Sequence, residues 1–215
     1  MMDRGEMERP WTPISVREVV DRFRRVDVDW WIAGGIAIDH FLGWETRTHE
    51  DIDVEMFRDD RETLFTVFAG WDLHVVSEGS LLPWRPGEAL PESVFGVWGR
   101  PSAGSPWAVE VMLANGDSDT WSFRRDPSIS LPLDRVVRRA CSGVPYCTPE
   151  VQLLYKAKRA RPKDDVDLAR CLHRLTVAQK RWLGDALTRD TGPTGRDHPW
   201  VAVLASATRV DVEPH

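Results

Sequence analysis

Long apolar runs are missing from this chain of 215 residues. No stretch approaches the roughly 20 apolar residues that a membrane-crossing helix needs. The opening MMDRGEMERP is polar and charged, with no apolar segment behind it, so no secretory signal is expected. Cysteine is sparse: Cys141, Cys147 and Cys171 match neither a zinc site nor a disulfide framework. They read as reduced thiols of a cytoplasmic protein. A basic surplus is also absent. With 28 Lys and Arg against 34 Asp and Glu, the formal net charge is −6. That argues against non-specific nucleic-acid binding through a broad basic surface, but not against nucleotide binding, which needs only a local set of donors. Internal repeats and low-complexity tracts are lacking too.

The rest is the make-up of a globular enzyme, 42% hydrophobic and 29% charged. The 11 Trp residues stand out. They suit core and rim positions, and Trp84, Trp98 or Trp121 could line a ligand pocket.

The patterning predicts an α+β protein. Ser15 caps a helix running to about Arg25, with Val16, Val19, Val20 and Phe23 at helical spacing. VDVDWWIA (26–33) reads as a short buried strand, broken by Gly34-Gly35, and IAIDHFL (36–42) as a short helix. After a polar loop at 43–50, DIDVEMF (51–57) alternates strictly and predicts a strand. A helix is expected over 59–69, and strands over 72–77, 94–99 and 107–113, with a Gly- and Pro-rich loop at 79–92. Residues 121–124 and 129–133 give weaker strand signals. At Thr148 the pattern turns helical, with Pro149 at a first helical position. Further helices are expected at 163–173, from a Thr176 cap to 188, and at 198–207. The expected division is thus 1–147, mixed, and 148–215, a small helical unit.

Asp51, Asp53 and Glu55 fall on one face of the 51–57 strand, because side chains alternate with a period of two. Like charges so placed repel, and a divalent metal offsets that repulsion; hard oxygen ligands suit magnesium. A solvated strand face with chance acids is the plainer alternative. Glu110 lies amid the apolar WAVEVML (107–113), where an acid is costly unless paired or liganded. Sheet pairing that brought Glu110 beside Asp51 and Asp53 would supply three carboxylates for a metal-dependent phosphoryl-transfer site.

Gly34-Gly35, between a strand and a helix, lets a phosphate approach backbone amides; a simple tight turn is the alternative. Arg47 is placed to meet a phosphate, and His49 to orient a carboxylate or touch substrate. Lys156 is the best candidate for a lysine facing the triphosphate. It stands in a basic run with Lys158, Arg159, Arg161 and Lys163, a run that otherwise reads as a surface salt-bridge network with Asp164, Asp165 and Asp167.

GGIAIDHFLG followed by TRTHEDID, then the lone acid of VEVML, resembles the nucleotidyltransferase superfamily that includes DNA polymerase beta. The closer likeness is to the aminoglycoside 2''-adenylyltransferases and lincosamide nucleotidyltransferases, and LLYKAKRARPKDDVDL (153–168) resembles their helical region. The likeness implies a nucleotidyltransferase fold: a short mixed sheet flanked by helices, plus a small C-terminal helical unit. It implies Asp51, Asp53 and Glu110 as ligands of catalytic Mg2+. Glu110 is a departure, since the family often has Asp there. It further implies Gly34, Gly35 and Arg47 around a nucleoside triphosphate, ATP in the first instance, to which the reading of the residues adds His49 and Lys156. The acceptor is expected to be a small hydroxylated molecule such as an antibiotic, and the acidic net charge suits a cationic one. Transfer to protein or RNA, as in toxin–antitoxin members, and a degenerate nucleotide-binding member remain alternatives. No membrane partner is expected and nucleic acid is disfavoured. A homo-oligomer is compatible with the sequence, which fixes no oligomeric state.

Overall fold

The computed structural model describes residues 10–189 and 198–210. Helix α1 spans Val16–Phe23, and its Ser15 cap accepts a hydrogen bond from the Glu18 amide at 3.2 Å, as the sequence predicts. Strand β1 is confined to Trp30–Ile32, shorter than predicted. The polar start of that segment, Asp27 and Asp29, lies at the surface, and only its end, Trp31 to Ala33, is fully enclosed. Helix α2, Gly34–Leu42, begins at the glycine pair rather than after it. Gly34 takes a positive φ of 66°, which makes the sharp turn from strand into helix.

Strand β2 covers Asp53–Phe57, leaving Asp51 at the exposed end of the preceding loop. The helix predicted at 59–69 is a 3-10 segment, Arg58–Thr63, followed by one α turn, α3, Leu64–Val67. Strand β3 is Asp72–Ser77. The loop predicted at 79–92 instead contains strand β4, Ser80–Pro83, folded back by a two-residue turn in which Glu78 and Gly79 both have positive φ. Such a turn matches the natural twist of a hairpin. Strands β5 (Gly96–Arg100), β6 (Val109–Gly116), β7 (Thr120–Ser122) and β8 (Ser130–Pro132) follow. Then come a single turn α4 (Leu133–Val136) and two strands without a sequence signal, β9 (Val137–Arg139) and β10 (Pro145–Cys147).

From Pro149 onward every described element is a helix: α5 (Pro149–Ala157), α6 (Pro162–Leu172), α7 (Val177–Arg189) and α8 (Pro199–Val210). Among the described residues, no helix is long and apolar enough to cross a membrane. The three cysteines are free thiols, two of them buried.

The strands join in one mixed ten-stranded sheet, ordered β4-β3-β5-β6-β2-β1-β10-β9, with β7 and β8 continuing from β6. The pairs β2–β6 and β1–β10 are parallel; the others are antiparallel. Parallel neighbours need long crossovers, here through α3 to β5 and through everything from β2 to β9. One continuous apolar core holds the sheet and the helices: Val54 and Val111 of the central strands, Ile38 of α2, Leu154 of α5 and Leu183 of α7 all belong to it. The helices therefore complete the core of the sheet rather than building one of their own.

That shared core generates a prediction. Leu154 is fully enclosed. Leu154→Ala should cost about 2–5 kcal/mol. In urea, tryptophan fluorescence and far-UV circular dichroism should then shift together to a lower midpoint. A variant that lost helix at low urea while the tryptophan signal stayed native would show that the helices unfold by themselves.

Candidate active site

The parallel pairing of β2 and β6 sets Asp53 directly opposite Glu110, and Glu55 opposite Met112. The alternation predicted for both segments thus brings Asp53 and Glu110 onto one sheet face. The pairing is fixed by backbone bonds: the Glu110 amide donates to the Ile52 carbonyl at 3.1 Å, and the Ala33 amide to the Asp53 carbonyl at 2.9 Å. Val54 and Val111 point the opposite way into the core and are essentially unexposed. Asp51 stands two residues upstream and faces solvent.

Loss of water around the Asp53 carboxyl, reinforced by the charges of Glu110 and then Asp51, raises its pKa from the ordinary 3.8 to about 8; Lys156 and Lys163 pull the other way. Glu110 is raised for the same first reason, desolvation, with Asp51 adding to it while the Trp98 indole and Arg124 oppose. Neighbouring carboxylates that suppress one another's ionisation, with hard oxygen donors, suit a divalent cation, which would offset their repulsion. Among the described residues, no group of three or more His, Cys, Asp or Glu side chains is drawn together as a ready chelate. The carboxylates would have to turn inward around an ion.

The helix start is built around these acids. A Cβ on Gly34 would lie 2.0 Å from Asp53 Oδ2, so only glycine leaves room for the carboxylate. The Gly34 amide already donates to Gln152 Oε1 at 2.9 Å. Over Gly35 sit Arg47 and His49: a Cβ there would meet Arg47 Nη2 at 2.5 Å and the His49 ring at 2.6 Å. His49 is bonded through Nε2 to Asp39.

Glu55 is 3% exposed and pinned from two sides. The Trp31 indole donates to its Oε2 at 2.8 Å and the Tyr155 hydroxyl to its Oε1 at 3.4 Å. Burial lifts the Glu55 pKa to about 7, although the Trp31 and Tyr155 bonds and Arg124 counteract it. Lys156 borders the cleft, but its ammonium is held by Asp164 at 2.9 Å and Asp167 at 3.0 Å, both buried. Burial alone would raise Asp164; hydrogen bonds from Arg161 and Lys156 outweigh it and bring it to about 2.

A cleft of about 510 Å³ has Gly34, Gly35, Arg47, Asp51, Asp53, Glu55, Gln152, Tyr155 and Lys156 on its wall; Glu110 and His49 stand behind that wall rather than on it. Its lining carries eight Lys or Arg side chains against four Asp or Glu, so its local charge is opposite in sign to that of the chain. The cationic acceptor inferred from net charge loses that support. Of the tryptophans considered as pocket walls, Trp121 and Trp84 are buried and Trp98 packs on Trp11 and Trp107; the aromatic walls are Phe95 and Tyr155. Sequence reasoning missed Gln152, Arg124 and Arg125. A polar residue between Val151 and Leu153-Leu154 of α5, all buried, was the available signal for Gln152.

In sequence, a family model described as aminoglycoside-2''-adenylyltransferase matches residues 15–80, which hold the glycine pair, Arg47, Asp51 and Asp53. No curated protein sequence matches. In structure, the chain is similar to the lincosamide antibiotic adenylyltransferase LnuA, solved with lincomycin bound. The TM-score is 0.52 and the identity 17%, over 74% of this chain and 97% of that one. This is a nucleotidyltransferase fold. A second similar structure is ANT(2'')-Ia in complex with adenylyl-2''-tobramycin, 18% identical over 92% of this chain and 97% of that one, at a TM-score of 0.46.

In such a fold the crowded carboxylates have a measurable consequence. A carboxyl whose folded pKa lies above its unfolded value stabilises the fold fully below the unfolded value, and that contribution is lost as pH rises through the folded one. Without metal, the protein should therefore lose stability between about pH 4 and pH 8. Asp53→Asn should flatten that decline and melt higher at pH 8 by at least about 2–4 °C, as about 1 kcal/mol gives in a chain of this size. An Asn variant that melted lower at pH 8 would mean that the Asp53 charge is satisfied in the fold.

Proposed function

We propose that this protein transfers a nucleoside monophosphate, AMP from ATP, to a hydroxyl group of a small molecule and releases pyrophosphate. The observation that carries the reading is the Asp53–Glu110 register pair, set against a glycine-built helix start in a cation-lined cleft. In this reading Asp51, Asp53 and Glu110 hold magnesium. The metal, when bound, supplies positive charge against the charge developing on the transferred phosphoryl group. The protein's own residues position the reactants. Gly35 lets the triphosphate approach the start of α2, where a helix favours an anion. Arg47 meets the phosphates above it, and His49 keeps that loop in place. Lys156, with its charge shared by two aspartates, acts as a wall and as a field on Asp53 rather than as a free phosphate hook. Glu55, with a pKa near neutrality, is suited to accept the proton of the attacking hydroxyl; Glu110 is the other candidate.

The family match and the lincomycin-bound neighbour make an aminoglycoside- or lincosamide-like antibiotic the first acceptors to test. Among these, the excess of cations in the lining favours the less highly charged acceptor. The same lining gives one observation in favour of an RNA acceptor: Lys158, Arg159 and Arg161 form an exposed basic run at the cleft mouth. The three free cysteines fit work in the reducing cytoplasm.

The test is a panel of labelled ATP, GTP, CTP and UTP against lincosamides, aminoglycosides and transfer RNA, reading pyrophosphate release and label transfer together. Label is expected on a small-molecule hydroxyl and to depend on added magnesium. Asp53→Asn should lower that transfer by at least about 100-fold, since rigidly placed charge is what the reaction needs. Near-normal turnover in the folded Asn variant would remove Asp53 from the site. Label on RNA alone would replace the small-molecule reading.

A further inference from the structure

Asp39 is an acid inside the apolar helix α2 and is 8% exposed. A buried carboxylate is costly unless its oxygens are hydrogen-bonded. Here both are. Oδ1 accepts from the Thr46 amide at 3.1 Å and from the Thr46 hydroxyl at 2.6 Å. Oδ2 is bonded to Nε2 of His49, whose side chain is itself about nine-tenths buried. All these partners lie in the polar loop between α2 and β2, and they bracket Arg47 on both sides. The adjoining edge of the His49 ring, Nδ1 and Cε1, lies against Gly35 in the first turn of the same helix, beside Arg47 Nη2. One carboxylate thus ties down the loop at two points, and the tie ends where the guanidinium crosses the helix start.

We infer that Asp39 is a positioning residue: through Thr46 and His49 it latches the loop so that Arg47 is held over the N-terminal turn of α2. The inference rests on the nucleotidyl-transfer reading for what Arg47 meets there, but the latch itself is a property of the loop. A loop without regular structure would otherwise sample many conformations, and ordering it on each binding event would weaken affinity. A latched Arg47 is ordered in advance.

The deciding experiment uses Asp39→Asn, which keeps volume and the bonds from Thr46 but loses the charge facing His49, with Asp39→Ala as the stronger variant. Melting curves establish that each variant is folded. Two readouts follow. The first is calorimetric binding of α,β-methylene-ATP with magnesium, in the wild-type and Arg47→Ala backgrounds. Asp39→Asn should weaken binding about tenfold in the wild type and add little once Arg47 is gone, because residues acting through one another are not additive. The second is limited trypsin digestion read by mass spectrometry. Cleavage after Arg47 should be at least tenfold faster in the variants, while cleavage elsewhere is unchanged. Additive losses in the double variant would overturn the inference, and so would wild-type affinity together with wild-type cleavage in folded Asp39→Asn. If the wild type binds no nucleotide, the functional reading fails, and the digestion alone decides whether Asp39 holds the loop.

Discussion

The site depends on the parallel pairing of β2 with β6, which forces two carboxylates to share one dehydrated patch of sheet. Backbone hydrogen bonds keep Asp53 and Glu110 in register, and the core behind them, Val54 and Val111, leaves the strands no freedom to separate. The register holds the two backbones side by side, and protons or a cation would relieve the repulsion between the carboxyls. The surroundings give way to them. Gly34 has no Cβ where Asp53 Oδ2 lies, and a Cβ on Gly96 would stand 3.2 Å from Glu110 Oε1. A fold that tolerates such crowding at its centre carries a standing cost, and an ion that relieved it would bind with that energy in its favour.

Around this acidic centre the cleft wall is basic, which a whole-chain charge of −6 does not reveal. Net charge governs solubility and long-range attraction, but a ligand inside a cleft responds to the groups that line it. Cations around a negative centre suit an anionic ligand such as a polyphosphate. Lys156 shows how finely that charge is distributed. Its ammonium is not offered to solvent but shared between Asp164 and Asp167, and its charge still opposes the rise in the Asp53 pKa.

The sequence made the individual strands of the site legible, because period-two alternation in DIDVEMF and WAVEVML is a local property. The helix starts at Ser15, Pro149 and Thr176 were legible for the same reason: caps and first-turn residues act within four positions. The pairing of β2 with β6 was not, since more than fifty residues separate the partners and nothing in either strand names the other. Strand β4 was hidden by its own punctuation. Glu78 takes a positive φ that non-glycine residues rarely adopt, and Pro83 ends a strand of four residues. Strand β10, Pro145–Cys147, is too short to show a period and is a strand because β1 lies beside it. Asp39 and Gln152 carried a readable signal, a polar residue set between apolar neighbours of a helix, but their partners lie in other elements.

The glycine pair joins the two halves of this picture. Read from sequence, Gly34-Gly35 offered a choice between a phosphate cradle and a tight turn. The structure gives the two glycines different neighbours. Gly34 makes the turn, yields its amide to Gln152 and clears space for the Asp53 carboxylate. Gly35 clears space for Arg47 and His49. One turn of helix is therefore shared by the carboxylate strand and the arginine loop. Any anion drawn to that helix start would lie next to Asp53 and beneath Arg47 at once. That adjacency needs no closing motion; it follows from two side chains that are not there.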